Sequence, residues 1–133
     1  MTVQDGKTVG EIGRGLLVLL GIKKGDTEKE AQALADKLSK LRVMSDKKDK
    51  MNLSVKDVDG KILVVSQFTL YADTTGGNRP SFINAEEPER AKNLYEFFVN
   101  KLGEKGINVE TGSFGDYMQI EATLDGPVTI LYD

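Results

Sequence analysis

The chain has 133 residues, a formal net charge of −3, 39% hydrophobic and 29% charged residues, and neither histidine nor cysteine. These values predict one globular domain over residues 1–133. The missing side chains exclude Ser-His-Asp and Cys-His nucleophiles and every His or Cys metal site, so no metal or other cofactor is expected. No apolar run is as long as a membrane span, no signal peptide is visible, and the absence of cysteine fits a cytoplasmic protein.

The first third of the chain carries a turn, a strand and a helix signal in that order. Asp5 and Gly6 predict a tight hairpin, and the apolar run GLLVLLGI at residues 15–22 predicts a strand. Thr27 and Glu30 have the spacing of a capping box, which predicts the start of a helix. The apolar face of that helix comprises Ala31, Leu34, Leu38 and Leu41.

The stretch SDKKDKMNLS, at residues 45–54, is predicted to be a charged and solvated loop. The alternation of lysine with aspartate in this stretch is most simply interpreted as solvated charge. Asp59 and Gly60 then signal a second turn, which leads into the next strand.

The stretch ILVVSQFTLYAD begins like a core strand and then changes character. Residues 62–65 form the continuous apolar run of a strand buried on both faces. Ser66, Gln67 and Thr69 then place uncharged polar groups in the same predicted strand, with Phe68 between them. Burying such groups without partners would cost roughly 1–3 kcal/mol each. Either neighbouring strands satisfy them, or they line a pocket that binds a polar head group or stabilises a developing oxyanion.

The next segment is predicted to be a loop followed by a second helix. The loop TTGGNRPSF, at residues 74–82, contains Arg79 and could hold phosphate, but it lacks the context of a P-loop and equally fits a flexible surface loop. Pro88 suits the first position of a helix, and Gly103 or Gly106 can end it. Its predicted apolar face comprises Ala91, Leu94, Phe98 and Leu102.

The C-terminal part alternates like strands. Apolar residues recur at every second position, at Met118, Ile120 and Ala122 and again at Val128, Ile130 and Tyr132. A proline within such a pattern, Pro127, belongs at an edge, a bulge or a turn, and its bond to Gly126 is compatible with a cis or a trans geometry.

Together these elements predict an α+β fold. Strands interrupted by two main helices favour a curved antiparallel or mixed sheet, or a barrel-like core, that the helices cover.

Five stretches in this order resemble one family: GLLVLLGI, LVVSQFTLYAD, RPSF, ETGSFG followed by MQ, and DGPVT. The chain resembles the D-aminoacyl-tRNA deacylases over about residues 3 to 131. Members of that family are homodimers that hydrolyse the ester between a D-amino acid and the 3′-terminal adenosine of tRNA, and they also remove mischarged glycine. The resemblance therefore implies tRNA and a second copy of the chain as partners, without DNA or a membrane.

The resemblance also implies roles for particular residues. It implies that Ser66, Gln67 and Thr69 are catalytic, although Thr69 is better interpreted as a ligand than as a nucleophile, because no base that could activate it is evident. It implies a cis bond between Gly126 and Pro127, in a turn that reaches into the partner's pocket and excludes L side chains. The other implied substrate contacts are Phe68, Met118, Val128 and Thr129. The implied RNA contacts are Arg79, Lys47 and Lys48.

The chain departs from the family pattern at three places. Relatives usually begin with a further strand that carries an arginine, so we expect the natural product to start upstream of Met1 and the 133-residue form to be the less stable one. Leu124 stands where the family usually has asparagine, which changes the polar surroundings of the turn. Asn78 replaces a commonly basic residue, which is expected to weaken phosphate contacts.

These departures leave two alternatives to a proofreading hydrolase. One is a non-catalytic dimer that binds the end of tRNA, and the other is an esterase that acts on small molecules without RNA. Incubation with D-aminoacyl-tRNA distinguishes the three hypotheses. A proofreading hydrolase would hydrolyse the ester, a tRNA-end binder would bind without turnover, and a small-molecule esterase would do neither.

Overall fold

The computed structural model describes the whole chain, Met1–Asp133. Two helices are present, α1 (Glu28–Lys40) and α2 (Pro88–Glu104), together with a short 3-10 turn at Phe68–Tyr71. Neither helix combines the length and the apolar character that crossing a bilayer requires. The strands are β1 (Thr2–Gln4), β2 (Lys7–Gly10), β3 (Gly15–Leu20), β4 (Met44–Ser45), β5 (Met51–Leu53), β6 (Lys61–Ser66), β7 (Val109–Thr111) and β8 (Gln119–Ile120).

The strands form two three-stranded sheets and one hairpin. The central sheet is parallel, in the order β3-β6-β7, and the second sheet is antiparallel, in the order β2-β1-β8. The hydroxyl of Thr2 joins the two sheets, because it donates to the carbonyl oxygen of Thr111 at 3.2 Å. Mixed sheets with two helices are what the sequence predicts.

Strand β6 lies at the centre of the core. Its residues 62–65 are all buried, as the apolar run predicts. Helix α2 packs against this strand with Phe98, which has no exposed surface. The hydroxyl of Tyr95 on the same helix donates to the carbonyl oxygen of Val64 at 3.0 Å. The helix and the strand are therefore joined by apolar packing and by one buried hydrogen bond.

The local signals for helices and turns are confirmed. Thr27 caps α1, because its hydroxyl accepts from the backbone N–H of Lys29 while Glu30 accepts from the backbone N–H of Thr27 at 2.6 Å. Pro88 is the first residue of α2, and Gly106 follows its end with a φ of +81°. The predicted two-residue hairpin turn joins β1 to β2, and both of its residues have positive φ.

The prediction of a charged, solvated loop at residues 45–54 is only partly correct. Residues 46–50 lie outside any strand and their lysines are exposed, but the flanking residues form strands. Strands β4 and β5 pair there as an antiparallel hairpin. The carboxylate of Asp46 organises its turn by accepting from the backbone N–H groups of Lys48 and Lys50, at 2.8 and 3.0 Å. The charge pattern alone did not predict this hairpin, because Asp46 accepts hydrogen bonds from backbone N–H groups and not from the lysine side chains.

The prediction of regular strands near the C-terminus is only partly correct. β8 forms, but residues 121–133 are not in a strand, and Leu124, Val128, Ile130 and Leu131 are exposed. A strand needs a neighbouring backbone with which to pair. Glu121 still exchanges two backbone hydrogen bonds with Met1, at 2.8 and 2.9 Å, but residues 122–133 have no such partner in this chain. Alternation in the sequence shows which residues can share a face, but it does not supply the pairing partner.

We expect the contact between α2 and β6 to dominate stability. Replacing Phe98 with alanine should lower the free energy of unfolding by about 3–5 kcal/mol, because it leaves a cavity in the core. Tyr95→Phe should cost about 1 kcal/mol, the value of one hydrogen bond. Asn93→Ala, at an exposed position of the same helix, is the control and should change stability by less than about 0.5 kcal/mol. Urea denaturation at one fixed protein concentration measures all three, and equal midpoints for Phe98→Ala and Asn93→Ala would contradict this view of the core.

Candidate functional site

The predicted catalytic segment lies where strands β3 and β6 end. Ser66 is the last residue of β6 and is partly buried. The backbone N–H of Gln67 donates to the carbonyl oxygen of Leu20, the last residue of β3, at 2.8 Å. The carboxyl ends of two parallel strands therefore meet at this point, which is a common position for a binding site in parallel sheets.

The prediction that Gln67, Phe68 and Thr69 continue the strand is wrong. The 3-10 turn begins at Phe68, so only Ser66 belongs to β6. Phe68 and Thr69 are exposed and Gln67 is partly exposed, while no buried side-chain polar atom in the chain lacks a hydrogen-bond partner. The expected cost of burying polar groups therefore does not arise, because the chain leaves the core just before them.

The turn offers two unpaired backbone donors. Its first internal bond runs from the N–H of Leu70 to the carbonyl oxygen of Gln67, at 3.3 Å. The N–H groups of Phe68 and Thr69 precede that bond and donate to no group in the chain. Consecutive N–H groups of this kind can bind a carbonyl oxygen on which negative charge develops.

A hydrogen bond between side chains joins two of the predicted catalytic residues. The amide nitrogen Nε2 of Gln67 donates to Oγ1 of Thr69 at 2.5 Å. No carboxylate or amine is hydrogen-bonded to Thr69. The hydroxyl therefore has an amide as its side-chain partner, and an amide does not accept a proton at neutral pH.

An exposed aromatic pair lies beside the turn. The rings of Phe68 and Phe82 pack edge to face with their centroids 4.9 Å apart, although Phe68 is 54% exposed. Backbone bonds in both directions between Asp73 and Ser81, at 2.7 and 2.8 Å, close the loop that contains Arg79. Arg79 is exposed and makes no ion pair. No local pattern predicts the pairing of Phe68 with Phe82, because the whole loop separates the two residues in the chain.

Met118 lies near the carboxyl half of β6, to which it is connected through Gly112. Its sulfur accepts from the backbone N–H of Ser113 at 3.1 Å and covers Gly112, where an added Cβ would be 2.7 Å from that sulfur. The N–H of Gly112 in turn donates to the carbonyl oxygen of Val64 at 3.3 Å. Only glycine fits at residue 112 with Met118 in this position.

The turn at Gly126 and Pro127 has the predicted cis bond, and Gly126 has a φ of +120°. Residues 126–129, which include Val128 and Thr129, are all exposed. No hydrogen bond connects them to residues 66–69 within one chain. Within one protomer, the two groups of predicted site residues are therefore not joined by a hydrogen bond.

The predicted RNA-binding residues are separated. Lys47 and Lys48 are exposed in the turn between β4 and β5. That hairpin lies near the amino end of β6, whereas Arg79 lies in the loop that follows its carboxyl end.

Two titratable groups near the turn are perturbed. Burial raises the pKa of Tyr71, and the negative charges of Asp26 and Asp133 raise it further. Hydrogen bonds from the side chain and the backbone of Thr75 lower the pKa of Asp73. Both shifts maintain the usual protonation state at neutral pH, so neither group is prepared to transfer a proton. The chain has no group of three or more acidic side chains that converge as metal ligands.

Comparison with known proteins identifies the family. The model of a family described as D-Tyr-tRNA(Tyr) deacylase matches residues 1–133. A D-aminoacyl-tRNA deacylase from Thermotoga petrophila is 56% identical over 131 residues, which are 98% of this chain and 88% of the relative. A D-aminoacyl-tRNA deacylase from Aquifex aeolicus is 54% identical, and the match covers 97% of this chain and 87% of the relative. A relative from Bacillus subtilis, named an inactive D-aminoacyl-tRNA deacylase, is 53% identical, and the match covers 97% of this chain and 98% of the relative.

Solved structures agree with this result. A structure titled c-Myc DNA Unwinding Element Binding Protein superposes with a TM-score of 0.90 at 41% identity and covers 97% of this chain and 88% of the other. The structure of a probable eukaryotic D-amino acid tRNA deacylase has a TM-score of 0.68 at 14% identity, and the match covers 81% of this chain and 78% of the other. At this identity the match supports the fold alone. The predicted α+β fold and the predicted resemblance are both confirmed. The chain belongs to the D-aminoacyl-tRNA deacylases, a family of ester hydrolases.

Proposed function

We propose that this chain removes D-amino acids, and glycine from mischarged tRNA, by hydrolysing the ester to the 3′-terminal adenosine of tRNA. The observation that carries this proposal is the pair of unpaired N–H groups of Phe68 and Thr69 at the carboxyl end of β6, in a chain of this family. The proposal includes a cytoplasmic location and one catalytic domain over residues 1–133, in agreement with the composition.

The reaction needs little from the protein, because an aminoacyl ester is already a reactive acyl donor. Water attacks the ester carbonyl carbon, and the oxygen that becomes negative is stabilised by the N–H groups of Phe68 and Thr69. The bond from that carbon to the ribose oxygen then breaks. The amino acid leaves as a carboxylate. One proton of the attacking water goes to the ribose oxygen, which becomes the free hydroxyl of tRNA, and the other goes to solvent. Orientation of the ester and electrostatic stabilisation provide the acceleration.

Thr69 acts here as a ligand and not as a nucleophile. A threonine nucleophile must transfer its proton to a base, and the side chain that contacts Oγ1 is the amide of Gln67. The same amide holds the hydroxyl in one orientation. The amide of Gln67 and the hydroxyl of Thr69 can therefore form a hydrogen bond with a hydroxyl of the ribose or with the ester oxygen.

Chirality is selected by the turn at Gly126 and Pro127 of a second subunit. Within one chain this turn is exposed and makes no hydrogen bond to residues 66–69, so it is free to enter the pocket of a partner. An L side chain would collide with the backbone of the turn, whereas a D side chain or a hydrogen would pass. The filter rejects by steric exclusion, and such a filter does not reject glycine.

The exposed surface supports a homodimer. The chain exposes 9087 Å², whereas a folded monomer of 14.6 kDa is expected to expose about 6,900 Å². The excess exceeds the roughly 800 Å² per partner of a standard interface. Much of the apolar part is in the C-terminal segment, where Leu131 is 89% exposed.

A non-catalytic tRNA-end binder is the second candidate. The relative from Bacillus subtilis, 53% identical over nearly its whole length, is named inactive. A chain that retains the pocket but lacks turnover would bind D-aminoacyl-tRNA without releasing the amino acid.

We expect purified protein to deacylate D-aminoacyl-tRNA and to leave the L-aminoacyl form intact. Thr69→Ala should lower kcat/KM by about 2–10-fold, the effect of one neutral hydrogen bond. Gly126→Ala should lower it by about 100-fold or more, because its added Cβ lies 3.1 Å from the backbone nitrogen of Val128 at a φ of +120°, and displacing the turn disturbs the pocket.

The matched controls are Thr8→Ala, an exposed threonine in β2, and Gly13→Ala, where an added Cβ has nothing within 4 Å. Both should retain wild-type rates. Complete loss in Thr69→Ala with substrate binding intact would instead support a threonine nucleophile. Binding of D-aminoacyl-tRNA without turnover by the wild-type protein would support the second candidate.

We expect light scattering at micromolar concentration to give twice the 14.6 kDa mass of the chain. Leu131→Asp should shift the protein towards the monomer and abolish deacylation, because the turn is supplied by the partner. Met51→Asp changes a 54% exposed apolar residue on the β4–β5 hairpin and should leave the dimer intact. A monomeric wild-type protein with full activity would contradict the composite site.

A further inference from the structure

A basic cleft of about 480 Å³ lies at the end of the molecule opposite to the catalytic turn. It is formed where α1 and α2 end, beside β5 and the segment that leads into β6, and no apolar residue lines it. The cations that line it are Lys40, Arg42, Lys56 and Lys105. We define these four residues, with the polar groups between them, as the basic cleft.

Three of the four cations have no ionic partner. Lys105 pairs with Asp36, but no carboxylate lies within 4.0 Å of the side-chain nitrogens of Lys40, Arg42 or Lys56. Asp57 is the one carboxylate among the lining residues, and it accepts from the backbone N–H of Ser54 at 2.9 Å. Asp57 and Asp36 offset part of the charge of the four cations. Hydrogen bonds from Ser54 and the charge of Arg42 lower the pKa of Asp57. Lys105 and Lys40 lower the pKa of Asp36. Four cations against two carboxylates leave the cleft with net positive charge in a chain whose own net charge is −3.

The exposed side chain of Arg42 is anchored in the basic cleft by one hydrogen bond. Its Nε donates to the carbonyl oxygen of Asn52 at 2.9 Å, and its terminal nitrogens make no hydrogen bond in the chain. A guanidinium anchored in this way presents a planar pair of donors, which matches two oxygens of a phosphate. Lysines at the ends of helices commonly offset the negative end of the helix dipole, and this function accounts for Lys40 and Lys105. Arg42 and Lys56 lie outside both helices and are not explained by it.

The distance from the catalytic turn suits one extended ligand. The cleft and the turn lie at opposite ends of β6, and six strand residues span roughly 17 Å. A stacked nucleic-acid strand advances by about 3.4 Å per nucleotide, so this distance corresponds to about five nucleotides. An RNA whose 3′ end occupies the turn would bring phosphates of its paired stem to the cleft.

We propose that the basic cleft binds the sugar-phosphate backbone of the acceptor stem of tRNA, with Arg42 and Lys56 as its principal contacts. The identity of the ligand rests on the proposed function, whereas the affinity of the cleft for phosphate rests on the geometry above. Backbone contacts of this kind position the RNA and read no base, so the cleft would accept tRNAs of different sequence.

The test is binding of uncharged tRNA by the full-length protein as a function of salt. Replacing both Arg42 and Lys56 with glutamine should raise Kd about tenfold near physiological salt and make the plot of log K against log salt less steep by roughly 1.5–2. Arg42→Lys should produce a smaller rise, because the charge stays and the planar pair of donors is lost. The matched control replaces Lys7 and Lys29, two exposed lysines that lie outside the cleft and away from the amino end of β6, with glutamine and should retain most of the affinity.

Three results would overturn the proposal. They are an unchanged Kd and salt slope in the cleft variant, an equal loss in the control variant, and displacement of tRNA by millimolar inorganic phosphate beyond the effect of sodium chloride at the same ionic strength. The last result would identify a site for small anions. Because uncharged tRNA has no ester, binding is measured independently of hydrolysis. A protein that deacylates nothing but loses tRNA affinity in the cleft variant would retain this proposal and lose the proposed function.

Discussion

The structure depends on one strand that is enclosed on all sides. β6 pairs with β3 along its whole length and with β7 over half of it, and its residues 62–65 are buried. Its backbone groups are used by the sheet, and its side chains are used by the core. A strand in this position cannot offer polar chemistry along its length without the cost of an unpaired buried group. Chemistry can occur only where the strand ends.

The two ends of β6 offer different groups. The carboxyl end is followed by backbone N–H groups, an amide and a hydroxyl, none of which is charged. The amino end lies beside the ends of both helices and is surrounded by lysine and arginine side chains. Uncharged donors suit an ester that acquires negative charge only as it reacts, whereas fixed cations suit phosphates, which are charged throughout. The division follows from the direction of the chain, because both helices run antiparallel to β6.

The single protomer leaves its C-terminal segment without a partner. Residues 122–133 make no backbone pairing with a strand, yet their apolar side chains recur at alternate positions. A segment with this pattern gains stability only against another surface. The turn that carries Gly126 and Pro127 lies in the same segment, so the surface that needs a partner and the proposed chirality filter belong to one structural unit.

The sequence by itself determined what depends on near neighbours. The capping box at Thr27, the proline that begins α2, the hairpin turn at Gly6 and the buried run of β6 all follow from residues within a few positions of each other. The order of motifs also predicted the family. Tertiary structure alone decided the features that join distant segments. Examples are the pairing of Phe68 with Phe82, the exit of the chain from the sheet after Ser66, and a cleft in which Arg42 and Lys56 meet. Local patterns state which residues prefer burial or exposure, but they do not state which distant backbone or side chain lies opposite, and binding sites are built from those distant contacts.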